Sequence, residues 1–163
     1  MKKKYEKTNK QYQKAIKTIP LATQTTSKSA ANFVKGAYPL FLEKGKGGEV
    51  WDIDGNKYID YILGLLPIVL GYQDSDVDKA IKNQLKKGIS FSLATTLETT
   101  LSELLTKLIP SAEMVRFAKT GSDVTTASIR LARAYTGRDK IALCGYHGWH
   151  DWFIGTTNHS IGI

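Results

Sequence analysis

The chain has 163 residues, of which 42% are apolar and 23% charged, and its formal net charge is +8. This composition indicates a folded globular protein and excludes a disordered or fibrous chain, and the single cysteine excludes an intrachain disulfide. Since no apolar run approaches the roughly 20 residues of a membrane span and no signal peptide is recognisable, we expect a soluble, cytoplasmic protein.

The positive charge is concentrated at the amino end. Residues 1–17 hold seven lysines and one glutamate, which gives +6 of the total +8 and leaves +2 for residues 18–163. Because this segment has no arginine and no motif that reads bases, we interpret residues 1–32 as a basic, mobile, solvated lead-in. The alternative, polyanion binding by residues 1–17, predicts an affinity that falls steeply with salt. We expect neither a nucleic-acid nor a membrane partner.

Residues 33–75 form an N-terminal segment with strand-like patterns. The run at 38–42 predicts a strand, and the glycines within 45–48 predict a turn. Two further strand-like runs flank Asp-Gly-Asn at 54–56, and these residue types tolerate the positive φ of a tight turn. A calcium loop also begins with spaced aspartates, but Asn56 breaks the ligand order and no glutamate closes the loop. We therefore predict a β-hairpin.

After residue 75 the apolar period changes from 2 to 3.6, which predicts helices. One helix opens at Ser75 and closes near Gly88. A second is opened by a capping box of Thr95 and Glu98 and ends before Pro110. Each has one apolar face that we predict to be core: Val77, Ile81 and Leu85 on the first, and Leu97, Leu101, Leu104, Leu105 and Leu108 on the second.

Residues 76–163 contain a strand–helix–strand pattern. Residues 114–118 and 140–144 are β-type runs, and residues 124–135 between them have helical periodicity. Such a unit implies a right-handed crossover in a parallel sheet. The predicted fold class is therefore α/β, with a small hairpin segment followed by the start of a mostly parallel larger domain. The helix residues predicted to face the core are Val124, Ala127, Leu131, Ala134 and Tyr135.

Two loops follow the predicted parallel strands, where ligands bind in open α/β sheets. In Lys-Thr-Gly-Ser-Asp at 119–123, small residues, two hydroxyls and a helix N-terminus can hold a phosphate. The same turn would also serve as a simple helix cap through Ser122 or Asp123. The second loop, Gly-Tyr-His-Gly-Trp-His-Asp at 145–151, offers a flat aromatic face for a planar ring.

The second loop also contains potential zinc ligands. These are His147, His150 and Asp151. A tetrahedral zinc site needs a fourth ligand, and the one candidate nearby is His159 in an apparently loose tail. We therefore predict no metal site.

Three motifs carry a resemblance to a known family. They are Thr-Gly-Ser-Asp at 120–123, Leu-Ala-Arg-Ala-Tyr-Thr-Gly-Arg at 131–138 and Tyr-His-Gly at 146–148. Together they resemble the signature of the class III (fold type I) pyridoxal-phosphate enzymes, which comprise the aminotransferases and glutamate-1-semialdehyde 2,1-aminomutase. Residues 51–61 resemble the N-terminal hairpin of this family, and the similarity runs from about 38 to 151.

The resemblance implies the N-terminal portion of a fold type I transferase with pyridoxal 5'-phosphate as cofactor. By it, Gly121 and Ser122 hold the cofactor phosphate with help from Thr120. Tyr146 stacks on the pyridine ring, and His147 is a neighbouring positioning residue. The partners it implies are an amino-group donor, a carbonyl acceptor and a second copy of the chain in a homodimer.

The resemblance places the Schiff-base lysine beyond Ile163, so we expect no catalytic residue in this chain, a partial or truncated sequence, and no transamination by the chain alone. The alternative is a non-catalytic phosphate-binding remnant. Two departures from the family pattern are visible. Lys-Thr-Gly-Ser-Asp-Val at 119–124 replaces the usual Asn-Ser-Gly-Ser/Thr-Glu-Ala, which keeps the hydroxyl and the acid. Ala30, with Lys28 close by, replaces the arginine that grips the substrate carboxylate in the aminomutase, which leaves another amino donor open.

Overall fold

The computed structural model describes residues 4–34 and 36–157. The chain divides into two compact units, Met1–Ser90 and Phe91–Ile163. The first unit contains α1 (Glu6–Ala15), β1 (Leu42–Lys46), β2 (Glu49–Asp52), β3 (Lys57–Ile59) and α2 (Ser75–Leu85), and the second contains α3 (Thr96–Leu108), α4 (Gly121–Thr136) and α5 (Asp151–Ile154). None of the helices in the described ranges is both long and apolar enough to cross a membrane.

The sheet of the first unit is an antiparallel meander in the order β1-β2-β3. The chain turns between β1 and β2 at Gly47, whose φ is +55°, and Gly47 exchanges two hydrogen bonds of 2.8 Å with Tyr72. Gly45 lies under the Tyr72 ring, where a Cβ would stand 2.5 Å from the nearest ring carbon. Gly47 therefore allows the turn, and Gly45 allows the Tyr72 ring to lie close to the backbone of β1.

The predicted hairpin around residues 54–56 is confirmed as β2 and β3. Its turn is organised by Asp52, whose side chain is completely buried. Asp52 Oδ1 accepts the amides of Asp54 at 3.0 Å and Asn56 at 2.7 Å. Asp52 Oδ2 accepts the Asn56 side-chain amide and the Tyr58 hydroxyl, both at 2.8 Å. This one carboxylate therefore ties the turn to β3.

The helix α1 is held by the same turn. The carboxylate of Asp54 accepts the amide of Lys7 at 2.7 Å and that of Thr8 at 2.9 Å. First-turn amides of a helix lack partners within the helix, so a carboxylate there satisfies them and complements the helix dipole. The lead-in at 1–32 thus contains a helix that the sequence analysis did not identify, and the mobility of that segment stays a prediction.

The three helices predicted after residue 75 are confirmed as α2, α3 and α4. α2 begins at Ser75, and its cap is Asp74, which accepts two first-turn amides. α3 has the predicted capping box, in which the Thr95 amide donates to Glu98 Oε1 at 3.1 Å. Local capping signals therefore located the beginnings of these helices.

Three predicted strands differ from the structure. The strand predicted at 38–42 is displaced along the chain, since β1 overlaps that run only at Leu42, which pairs with Asp52. The runs at 114–118 and 140–144 join no ladder among the described residues. A strand is stabilised by hydrogen bonds to a neighbouring strand, and neither run has one there. Within this part of the chain, the strand–helix–strand prediction is confirmed for its helix and not for its strands.

The apolar faces of α2, α3 and α4 are exposed, so the prediction that they are core is wrong for this chain. Leu105 is half-buried and Ala127 and Ala134 are exposed. The other predicted core side chains are all at least 41% exposed: Val77, Ile81, Leu85, Leu97, Leu101, Leu104, Leu108, Val124, Leu131 and Tyr135. Helical periodicity identifies an apolar face but does not identify the element that covers it.

Candidate functional site

The predicted phosphate turn lies at the amino end of α4. Thr120 is the N-cap: its Oγ1 accepts the amide of Asp123 at 3.2 Å, and its own amide donates to Asp123 Oδ2 at 2.9 Å. This reciprocal capping box satisfies a first-turn amide and fixes the conformation of the turn. From the sequence, either Ser122 or Asp123 could cap the helix. In the structure the cap is formed by Thr120 and Asp123, and Ser122 takes no part in it.

Two amides of this turn are available to a ligand. Those of Gly121 and Ser122 have no hydrogen-bond partner in the described part of the chain. A Cβ placed on Gly121 would have no atom of the described chain within 4 Å, so this side of the turn is open. Unpaired amides at a helix start carry partial positive charge and favour an anion by roughly 0.3 to 1 kcal/mol. The turn therefore has the donors that a phosphate group requires.

Asp123 has a lowered pKa. The hydroxyl and the amide of Thr120 hold the pKa of the Asp123 carboxyl below its usual 3.8, and His150 lowers it further. A carboxyl whose pKa is depressed on folding stabilises the fold above its unfolded value, and this contribution is lost as the pH falls through the folded value. The carboxyl of Asp123 is therefore ionised at neutral pH, and its contribution to stability is lost only in acid.

Hydroxyl side chains on one face of α4 bind the second loop. Ser122, Thr125 and Thr126 are spaced i, i+3 and i+4, which places them on the same face of the helix. Ser122 Oγ accepts the amide of Trp149 at 3.2 Å. Thr125 Oγ1 donates to the carbonyl of His147 at 2.9 Å. These bonds hold the predicted phosphate turn and the aromatic loop together.

Gly148 brings the second loop into direct contact with α4. Its φ is +112°, and a Cβ at this position would lie 2.6 Å from Ser122 Oγ and 3.1 Å from Ser122 Cα. Ser122 is only 8% exposed. The backbone conformation and the lack of space both require glycine here.

Tyr146 presents an open aromatic ring in the same loop. Its side chain is 77% exposed. Its ring meets that of Phe153, on α5, edge to face at 5.6 Å, and Phe153 is buried. The His147 ring also meets Phe153 at 5.6 Å, and His147 Nε2 donates to the carbonyl of Cys144 at 2.6 Å. Tyr146 is thus available to a planar partner, while His147 braces the loop.

The structure brings all five predicted site residues into the second unit, three in the turn and two in the loop bound to it. The sequence analysis did not identify Thr125 and Thr126 as ties between them. Their signal was present in the sequence, since hydroxyl residues at i, i+3 and i+4 share one face at the start of the helix. Within the described ranges no three His, Cys, Asp or Glu residues converge to hold a metal ion, and His159 lies outside those ranges.

The first unit contains a cavity of about 760 Å³. Its lining is mainly apolar and includes Lys28 and the tyrosines at 38, 58 and 72. None of the predicted site residues belongs to it.

The sequence matches the family model described as class-III aminotransferase over residues 30–162. The 3-aminobutyryl-CoA aminotransferase of Cloacimonas acidaminovorans (strain Evry) is 53% identical over 124 residues, which cover 76% of this chain and 30% of that protein. The glutamate-1-semialdehyde 2,1-aminomutase of Persephonella marina is 46% identical over 119 residues, which cover 71% of this chain and 28% of that protein. The chain therefore spans less than a third of the length of these curated relatives.

A solved structure of similar fold is that of the FumI protein of Sphingopyxis sp. MTA144 in its PLP internal aldimine form. It matches with a TM-score of 0.84 and 30% sequence identity. The match covers 90% of this chain and 36% of that one.

Proposed function

The chain belongs to the class III aminotransferase family, and from this membership we propose that the protein binds pyridoxal 5'-phosphate and transfers an amino group from a donor to a carbonyl acceptor. When bound, this cofactor supplies an aldehyde that forms Schiff bases and a ring that accepts electrons. The observation that carries the proposal is the pair of amides at Gly121 and Ser122 that have no partner among the described residues, in a turn that is hydrogen-bonded to the loop that presents Tyr146.

The donors of the turn fit the cofactor phosphate. The amides of Gly121 and Ser122 point out of the start of a long helix, where phosphates bind readily. Because Ser122 Oγ accepts from the Trp149 amide, its hydrogen is free to be donated to a phosphate oxygen. Thr120 supports these donors by closing the capping box with Asp123.

The aromatic loop provides the contact for the cofactor ring. The exposed ring of Tyr146 offers a stacking face that orients a planar heteroaromatic ring. His147 holds the turn of the loop through its bond to the Cys144 carbonyl, so its role is to position Tyr146. The cofactor is thereby bound at its phosphate by α4 and at its ring by the loop.

The amino donor we propose is a 3-aminoacyl-CoA thioester. The sequence identity to the 3-aminobutyryl-CoA aminotransferase is 53%, against 46% to the aminomutase. A thioester has no free carboxylate at the acyl end, so it does not need the arginine that Ala30 replaces, and Lys28 is the nearby cation for the carboxylate of an oxo-acid acceptor. We expect amino transfer from 3-aminobutyryl-CoA to a 2-oxo acid, measured as the oxo acid's conversion to an amino acid, and none from free 3-aminobutyrate. Turnover of glutamate semialdehyde at a higher kcat/KM than the thioester would contradict this choice of donor.

A homodimer and a cytoplasmic location complete the proposal. The homodimer follows from the family resemblance, and the cytoplasmic location is the default expectation for a sequence with a single cysteine. Sedimentation of the protein at micromolar concentration tests the homodimer, and a measured mass of one chain would count against the homodimer.

Stacking by Tyr146 gives the direct test of the cofactor site. Tyr146→Ala is expected to weaken pyridoxal 5'-phosphate binding about tenfold, because ring stacking contributes about 1 to 3 kcal/mol. Tyr146→Phe keeps the ring and is expected to bind within about twofold of the unsubstituted protein. Titration followed by cofactor absorbance measures both. Equal affinities for all three proteins would mean that the cofactor ring does not stack on Tyr146.

A further inference from the structure

His150 lies between the second loop and α4. Its Nδ1 is 2.7 Å from Thr126 Oγ1, and its Nε2 is 3.7 Å from Asp123 Oδ1. Thr126 Oγ1 is also 2.7 Å from the indole Nε1 of Trp152. Both ring nitrogens of His150 therefore face residues in the first turns of the helix that begins with the phosphate turn.

The hydrogen-bond network assigns the ring hydrogen of His150. An indole N–H can only donate, so Thr126 Oγ1 accepts from Trp152. The Thr126 hydroxyl has one hydrogen, and its one other hydrogen-bond contact in the described part of the chain is His150 Nδ1. In the neutral imidazole Thr126 therefore donates to Nδ1 and the ring hydrogen is on Nε2, and in the imidazolium both nitrogens carry hydrogen, so Nε2 carries one in either state. Nε2 lies 3.7 Å from Oδ1 of Asp123.

Asp123 connects His150 to the phosphate turn. Its Oδ2 accepts the amide of Thr120, and its Oδ1 faces His150. The 3.7 Å between Nε2 and Oδ1 is too long for a hydrogen bond, but at this distance the positive end of an imidazole N–H bond, and more strongly an imidazolium, attracts a carboxylate. One oxygen of Asp123 is thus bound by the cap, and the other lies near His150 of the second loop.

We propose that His150 is a positioning residue for the cofactor phosphate: through Asp123 it keeps the first turn of α4 in the conformation whose amides bind that phosphate. The inference rests on the proposed function, because it concerns the same phosphate site. Thr126 orients the imidazole. Without this contact Asp123 is free to leave Thr120, and the amides of Gly121 and Ser122 lose their fixed direction.

Two substitutions at His150 distinguish its contact with Asp123 from its contact with Thr126. The side-chain nitrogen of glutamine reaches about as far as Nε2 and can donate to Asp123, whereas asparagine ends near Nδ1 and cannot. The protein is expressed from its complete reading frame, and its affinities for pyridoxal 5'-phosphate and for pyridoxal are measured. His150→Asn is expected to weaken binding of the phosphorylated ligand about fivefold, as loss of a helix cap does, and to leave pyridoxal unchanged. His150→Gln is expected to bind both within about twofold of the unsubstituted protein.

A second pair of variants tests the orientation of His150 and keeps the test valid if one variant folds poorly. Thr126→Val removes the hydroxyl and is expected to act like His150→Asn, whereas Thr126→Ser keeps the hydroxyl and is expected to act like the unsubstituted protein. Equal loss of both ligands, or equal loss in His150→Asn and His150→Gln, would overturn the positioning role. An unsubstituted protein that does not prefer the phosphorylated ligand would overturn the proposed function itself.

Discussion

Gly148→Ala is expected to lower the affinity for pyridoxal 5'-phosphate by about 10- to 100-fold, although residue 148 is not one of the proposed cofactor contacts. An alanine at φ +112° is strained by about 1 to 3 kcal/mol, and its Cβ would lie 2.6 Å from Ser122 Oγ. The loop must then move away from α4, which breaks the bond from the Trp149 amide to Ser122. Tyr146 moves with the loop, so the protein can no longer stack on the cofactor ring and bind the cofactor phosphate at the same time.

Gly145 provides the matched control in the same loop. Its φ is also positive, at +81°, but a Cβ there would have nothing within 4 Å. Gly145→Ala therefore carries only the backbone cost, about 1 kcal/mol, and we expect its cofactor affinity to fall less than tenfold. Absorbance titration of the cofactor measures both variants, and thermal unfolding without cofactor separates loss of the site from loss of the fold. If the two variants lose affinity equally, the contact between Gly148 and Ser122 does not determine the geometry of the site.

The parts of the fold that were predictable from sequence have their causes close together in the chain. The capping box of Thr95 and Glu98 spans four residues, and the Asp-Gly-Asn turn at 54–56 depends on the φ values that these residue types allow. Both were located correctly. The strands expected at 114–118 and 140–144 depend instead on a neighbouring strand, and periodicity within a run does not supply that neighbour.

The candidate site divides in the same way. The turn of Gly121 and Ser122 and the ring of Tyr146 stood out because each lies in a short motif. Their roles toward the cofactor stay predictions. The ties between the two motifs join residues more than 20 positions apart, such as Thr125 with His147 and Thr126 with His150. Which hydroxyl binds which loop atom depends on tertiary packing, so the spacing of these residues gave only the helix face.

Asp52 is a buried acidic residue whose burial could not be recognised from the turn motif. In sequence it is one of several aspartates near a tight turn, where an exposed side chain is the usual outcome. In the structure it is 0% exposed and accepts four hydrogen bonds. Burial also raises the pKa of Tyr58, as do its hydrogen bonds to Tyr5 and Asp52, so its phenol stays neutral well into the alkaline range.

Asp52→Ala is consequently expected to destabilise the first unit by about 3 to 5 kcal/mol, since removal of one partner leaves buried polar groups without compensation. The amides of Asp54 and Asn56 would lose their acceptor, and with them the turn that holds α1. Denaturant unfolding measures the loss. Alkaline titration of tyrosinate absorbance gives a second readout, because the pKa of Tyr58 should fall towards its ordinary value once the neighbouring carboxylate is gone.

Tyr58→Phe is the control that removes a single donor from the same carboxylate. It keeps the ring and leaves the three amide bonds to Asp52 intact. Its cost should be about 1 kcal/mol, the net contribution of one hydrogen bond. If Asp52→Ala were no more destabilising than Tyr58→Phe, the buried carboxylate would not be what organises the turn. A large difference would instead mean that this one side chain joins the sheet, the turn and the amino-terminal helix into a cooperative unit, because all three depend on the amides that Asp52 fixes.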